Sequence, residues 1–206
     1  PEHANAELQA LKDMGIRARF SYGWGQDLPL TLTMNLTDVA RVQKEWGSAP
    51  DRLQLGAALR SPTPGARGAV PVEVLKVEVE GLRKLGLPMT MHAGAKGLVD
   101  VLASIGALGP DMMLVHAQGM SESERRAVAD TKSIYSTSPV IELSYSAVRS
   151  GNIQYDELKT LGVPLGLSID SSGASASADF FNVMRALMWS DWQRSGAPLR
   201  LQPRRI

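Results

Sequence analysis

The chain has no cysteine, which removes a disulfide framework, a thiolate zinc site and a cysteine nucleophile together. That absence suits a reducing cytoplasm, the compartment expected here. Excess charge is missing too: 22 lysines and arginines stand against 21 aspartates and glutamates. No net field therefore draws the chain to nucleic acid or to an anionic membrane. Its most basic stretch, 200–204, reads as a solvated terminus. No apolar run approaches the ~20 residues of a membrane span, and no signal-peptide core opens the chain. Gly23-Trp24-Gly25 lacks the third glycine and the helix start that a dinucleotide fingerprint needs, so it reads as an ordinary loop. Low-complexity segments and flexible linkers are absent, and 206 residues, 44% of them hydrophobic, suit a single domain over 1–206.

What is present is an alternation of strand, loop and helix. Residues 4–14 have helical period and stop at Gly15; 16–22 alternate as a strand. A short helix is expected over 37–46, with Thr37 or Asp38 near its N-cap, and a strand over 52–59. The helix over 72–85 is ended by Gly86 and Pro88, a strand then runs to His92, and 97–107 form the next helix. A strand to His116 leads into Ser121-Glu122-Ser123-Glu124, a capping box that opens a helix through Ala129. Residues 133–136 make a strand that Pro139 prevents from running on. Asn152 is expected to cap a helix to Leu161, a strand reaches Asp170, and a last amphipathic helix covers 179–194. Strict alternation of this kind argues a parallel sheet with right-handed crossovers.

Histidine is scarce, and that makes its placement informative. Of three histidines, two close consecutive apolar strands: LPMTMH ends at His92 and MMLVH at His116. VPLGLSID ends the same way at Asp170. A barrel of parallel strands points such residues into one mouth, where a divalent metal can sit. Zinc accepts imidazole nitrogen and carboxylate oxygen, and it brings a bound water's pKa towards neutrality. A strand-end carboxylate can ligate the metal and take the water's proton, while a second histidine polarises the group under attack. Small residues follow each of the three (Ala93-Gly94-Ala95, Ala117-Gln118-Gly119, Ser171-Ser172-Gly173) and leave room for a substrate. A buried structural histidine is the competing reading of either imidazole taken alone.

The segments MTMHAGAKG, MMLVHAQGMSESE, STSPVIELSYSAVRSGN and LGVPLGLSIDSSGASASADFFNVMRALMW, in this order and spacing, resemble the amidohydrolase superfamily, in its cytosine deaminase and chlorohydrolase-like branch. ALKDMGIRARFSYG resembles the third barrel strand of that branch with the helix before it, and the likeness extends over about 7–189. The resemblance implies an α/β fold of (β/α)8 TIM-barrel type, incomplete here at about six strands, around one divalent metal, zinc ahead of iron. It implies that His92 ligates the metal from the fifth strand and that Asp170 is both ligand and proton acceptor on the eighth. His116, on the sixth strand, would face water or substrate. Ser138-Pro139 and Glu142 would belong to the pocket-shaping loop after strand seven, with Glu142 as a substrate contact or a loop hydrogen-bonder.

Two features of that family are not matched. Nothing corresponds to its first-strand His-x-His, since His3 is solitary and precedes a helix. The glutamate that many deaminases carry three residues after the strand-five histidine is Ala95 here. The implied activity is hydrolysis of C–N or C–Cl bonds in a small cyclic substrate, impaired in this chain by the missing ligands. A non-catalytic barrel that binds or oligomerises is the alternative. A metal-free lyase would want a lysine at a strand end, and neither Lys96 nor Lys132 is well placed. Open edges of apolar parallel strands invite association, so a homo-oligomer is expected, with no nucleic-acid or membrane partner.

Overall fold

The computed structural model describes residues 2–25, 28–47, 52–63, 69–143, 152–175 and 177–196. The basic stretch 200–204 and the 144–151 portion of the strand-seven motif lie outside them. Six parallel strands alternate with helices and follow one another in chain order, β1 to β6, an incomplete α/β pattern of (β/α)8 type. The chain divides into two compact units, 1–91 and 92–206. Among the described residues no helix is long and apolar enough to cross a membrane.

The first unit runs α1 (Glu2–Asp13), β1 (Ala18–Tyr22), α2 (Leu36–Trp46), β2 (Leu53–Leu59), α3 (Val72–Lys84) and β3 (Met89–His92), the last of which crosses into the second unit. β1 pairs parallel with β2, Ala18 opposite Leu53, and β2 with β3, Ala57 opposite Met89. Ala4 and Leu8, one turn apart on α1, pack with Val42 of α2 against Phe20, Tyr22, Trp46 and Leu55. Gly56 is fixed by close approach, because a Cβ there would stand 2.9 Å from the Pro88 carbonyl oxygen. Arg60, just past β2, and Glu78 of α3 form a buried ion pair at 2.9 Å, and Glu78 also accepts from the Met34 amide.

One expectation in this unit is corrected. The N-cap of α2 is Asn35, whose side chain accepts from the Asp38 amide at 3.0 Å, rather than Thr37 or Asp38. Asp38 is instead buried two links inside the helix, where it accepts from the Tyr22 hydroxyl at 2.9 Å and from Arg41 at 2.6 Å. Asn is as good a cap as Asp, and Asp38 had a tertiary partner to meet.

The second unit holds α4 (Leu98–Ser104), β4 (Met112–Val115), α5 (Glu122–Asp130), β5 (Ile134–Thr137), α6 (Pro139–Ile141), α7 (Tyr155–Thr160), β6 (Leu165–Leu167), α8 (Ser172–Ser175) and α9 (Phe180–Ser195). β4 pairs parallel with β5, Met113 opposite Ile134, and β5 with β6, Tyr135 opposite Leu165. The Ala93 amide donates to the Val115 carbonyl at 2.7 Å and so ties the residue after β3 to the end of β4.

The capping box is formed as read: Ser121 accepts from the Glu124 amide, and Glu124 reaches back to the Ser121 amide. Asn152 does not cap a helix. α7 starts three residues later, because Gln154 turns its amide to the Met120 backbone and leaves the helix start without a side-chain cap. Pro139 both stops β5 and opens α6 as its first residue, where a missing N–H costs nothing. On α9 the buried face is Val183, Leu187 and Asp191, and Leu187 packs with Ile153 and Tyr155. Trp189 and Trp192 are 60% and 52% exposed, so they stand outside the core.

Candidate active site

The second unit brings all four sequence-selected residues together. His92 closes β3, whose alternation of buried Met89 and Met91 with more open Thr90 and His92 follows the pleat. His116 is the first residue after β4; its amide still donates to the Ser136 carbonyl of β5 at 3.0 Å. Its own carbonyl accepts from the Gln118 amide at 2.7 Å, closing a tight turn, and its φ is +59°. Asp170 comes three residues after β6, with φ +60° and its amide donating to the Ser168 hydroxyl at 2.9 Å. Left-handed backbone is uncommon outside glycine, and Asp and His enter it more readily than most residues. The Ser168 amide donates to the Thr137 carbonyl, which carries the ladder one residue beyond β6.

The imidazoles of His92 and His116 stack at 5.2 Å between centroids, 28° from parallel. His116 Nε2 lies 3.4 Å from Asp170 Oδ2, and its Nδ1 lies 2.7 Å from Glu142 Oε1. Glu142 sits at the end of α6 with its side chain 1% exposed. Its Oε1 also accepts from the Ser138 amide at 2.8 Å, and its Oε2 from Gln118 Nε2 at 3.3 Å and from the Thr137 hydroxyl. Because Oε1 already accepts an N–H, the short contact to Nδ1 is one in which the imidazole donates. In a neutral ring that leaves the Nε2 lone pair turned towards Asp170. Two acceptors facing each other suit a proton or a cation between them. Lost hydration is the largest cause lowering the His92 pKa. That direction favours the neutral ring, the form in which an imidazole ligates metal.

The donor atoms at this cluster are those zinc takes, but their number is small. Among the described residues no group of three or more histidines, aspartates or glutamates is arranged to hold a metal ion. His92 and Asp170 would therefore supply part of a coordination shell rather than all of it. A cavity of about 530 Å³ in the same unit is lined by Glu122, Arg125, Asp156, Glu157 and Arg194 and includes none of the four residues. That helix-lined hollow is separate from the strand-end cluster.

No family model and no curated protein matches the chain. Solved structures do. Adenosine deaminase from Xanthomonas campestris, determined with bound zinc, superimposes with a TM-score of 0.80 at 14% identity, over 97% of this chain and 47% of its own. Guanine deaminase from C. acetobutylicum, with guanine in its active site, gives 0.73 at 16%, over 95% and 50%. Atrazine chlorohydrolase from Arthrobacter aurescens, complexed with zinc, gives 0.75 at 13%, over 98% and 49%. The fold is that of the amidohydrolase-type deaminases and chlorohydrolases. This chain spans about half the length of those structures, as 47%, 50% and 49% show. The amidohydrolase-type fold is thus present over strands that the sequence aligns with the third to eighth of the barrel.

The sequence singled out the four residues that the structure gathers here, but not the side chains that hold Glu142. Gln118 and Thr137 were passed over, one inside a loop of small residues and one at the end of an apolar strand. The signal available was polarity itself: an amide and a hydroxyl at two adjacent strand ends, beside a glutamate followed by leucine.

Proposed function

We propose that this chain carries the later-strand part of a metal-dependent hydrolase site acting on C–N or C–Cl bonds of a small cyclic substrate. The observation that carries the reading is the strand-end cluster: His92 stacked on His116, and His116 held between Glu142 and Asp170. His92 and Asp170 would hold the metal, zinc by the nature of the donors, with iron as the other candidate. The metal, when bound, makes water nucleophilic near neutral pH. Asp170, with about a third of its side chain open, would accept the proton released by that water. His116 would present Nε2 to the water or to the group under attack. Ala95 offers no carboxylate for proton shuttling, so the reading favours chemistry that relies on Asp170 alone, such as dechlorination or amide hydrolysis, over purine or pyrimidine deamination of the usual form.

Two protein ligands fall short of the three that catalytic zinc ordinarily has, so slow or no turnover is expected from these 206 residues by themselves. That shortfall is also what favours a second reading, a barrel that binds a small molecule without turning it over. Zinc titration of the chain by calorimetry separates the two. The hydrolase reading expects zinc uptake that weakens tenfold or more in His92→Gln and in Asp170→Asn. Small-molecule binding with no zinc uptake, or uptake indifferent to both substitutions, would overturn it.

A further inference from the structure

We propose that Glu142 is a positioning residue that fixes the tautomer of His116, with Thr137, Gln118 and Ser138 forming its seat. Its consequence for catalysis rests on the hydrolase reading above; its geometry does not. A carboxyl group 1% exposed cannot be a surface contact for substrate, and at that depth it needs donors. It has them from two strand ends: Gln118 from the turn after β4, Thr137 from the last position of β5, and the Ser138 amide next to it. The fourth donor is His116 Nδ1–H at 2.7 Å.

Which nitrogen of an imidazole carries the proton is set by the hydrogen bond that the other nitrogen's partner permits. With Nδ1–H given to Glu142, Nε2 is an acceptor and the 3.4 Å approach to Asp170 is not a direct hydrogen bond. Asp170 stays available to a metal or to a proton coming from water. The other tautomer would place a proton on Nε2, and that proton would bind Asp170 Oδ2. The pair would then close on itself, and the carboxylate most needed at the centre would be occupied. Glu142 therefore acts through His116 to keep Asp170 open. A role confined to stabilising the loop would have no reason to select the nitrogen.

The test is ¹⁵N spectroscopy of the imidazoles in the metal-free full chain at about pH 9, above the ordinary histidine pKa of about 6.5. Only three histidines are present, and His116→Gln assigns the signal. Wild type is expected to show His116 protonated on Nδ1 with a bare Nε2. Glu142→Leu is expected to shift most of that population to Nε2–H. Glu142→Gln, which keeps a carbonyl oxygen for Nδ1–H, is expected to retain the wild-type tautomer. If Glu142→Leu does not fold, Gln118→Leu combined with Thr137→Val loosens the carboxylate without touching the ring, and a mixed tautomer population is expected. Any wild-type state other than Nδ1–H with bare Nε2 overturns the proposal, as does an unchanged tautomer in Glu142→Leu or in the double variant. Because the spectrum needs neither zinc nor substrate, a failure of zinc uptake would sink the hydrolase reading and leave this one standing.

Discussion

His116 and Asp170 meet the centre through left-handed backbone, with φ of +59° and +60°. Such positions cost of order 1–3 kcal/mol where the side chain disfavours them, and they cluster where function over-determines the structure. The turns they make after β4 and β6 redirect each side chain once the strand has ended. Asp170 can thus be separated into two contributions. Asp170→Asn keeps a short polar side chain that tolerates this conformation, and urea unfolding should move by less than about 0.5 kcal/mol. Asp170→Val puts a branched Cβ there and should lose roughly 1–3 kcal/mol. Equal stability of the two variants would mean that the backbone at 170 is not held as described. The sequence made these residues visible through their place at the ends of apolar runs. It did not make the positive φ visible, because glycine is the residue that announces such turns, and neither position is glycine.

Elements were legible wherever the signal was local. The Ser121–Glu124 capping box and the Pro139 stop depend on residues a few positions apart, and both formed as read. The two caps that were misplaced had tertiary competitors: Asp38 was taken by Tyr22 and Arg41, and Gln154, across from Met120, set the start of α7 in place of Asn152. The Asp38 contact between α2 and β1 has a consequence in alkali. Burial and then the Asp38 carboxylate raise the Tyr22 phenol from 10.0 to about 12. A folded pKa above the unfolded one means that the folded chain holds the proton more tightly. The stabilisation is then complete below pH 10.0 and disappears as pH rises towards 12. Unfolding free energy measured across that window should fall, and Tyr22→Phe should remove part of the fall. Burial also raises Tyr135 and Tyr155, which adds to the fall. An identical slope in Tyr22→Phe would show that Tyr22 keeps its phenolic proton no more tightly when folded.

At the scale of the molecule, the alternation of periods sufficed to predict six parallel strands and a barrel-type order. Hydrophobic pattern could not reveal which apolar surfaces stay open, since a covered helix face and an uncovered one read alike. α9 shows the difference: Val183 and Leu187 face the core, while Phe181, Trp189 and Trp192, 73%, 60% and 52% exposed, form a stripe on the other side. Among the described residues, β1 and β6 stand at the ends of the strand order, and an edge strand is a place where further pairing can occur. Aromatic surface of this kind favours association over a free monomer. We therefore propose that the chain is a homo-oligomer, dimer or larger, with the α9 stripe as a contact surface. Light scattering at tens of micromolar should give at least twice the 22.2 kDa of one chain. Trp189→Glu with Trp192→Glu should return the mass to a single chain without loss of helix content, because neither side chain belongs to the core. A wild-type monomer would refute the proposal outright. An oligomer that survives the double substitution would move the contact away from α9 and leave the strand edges as the surface that associates.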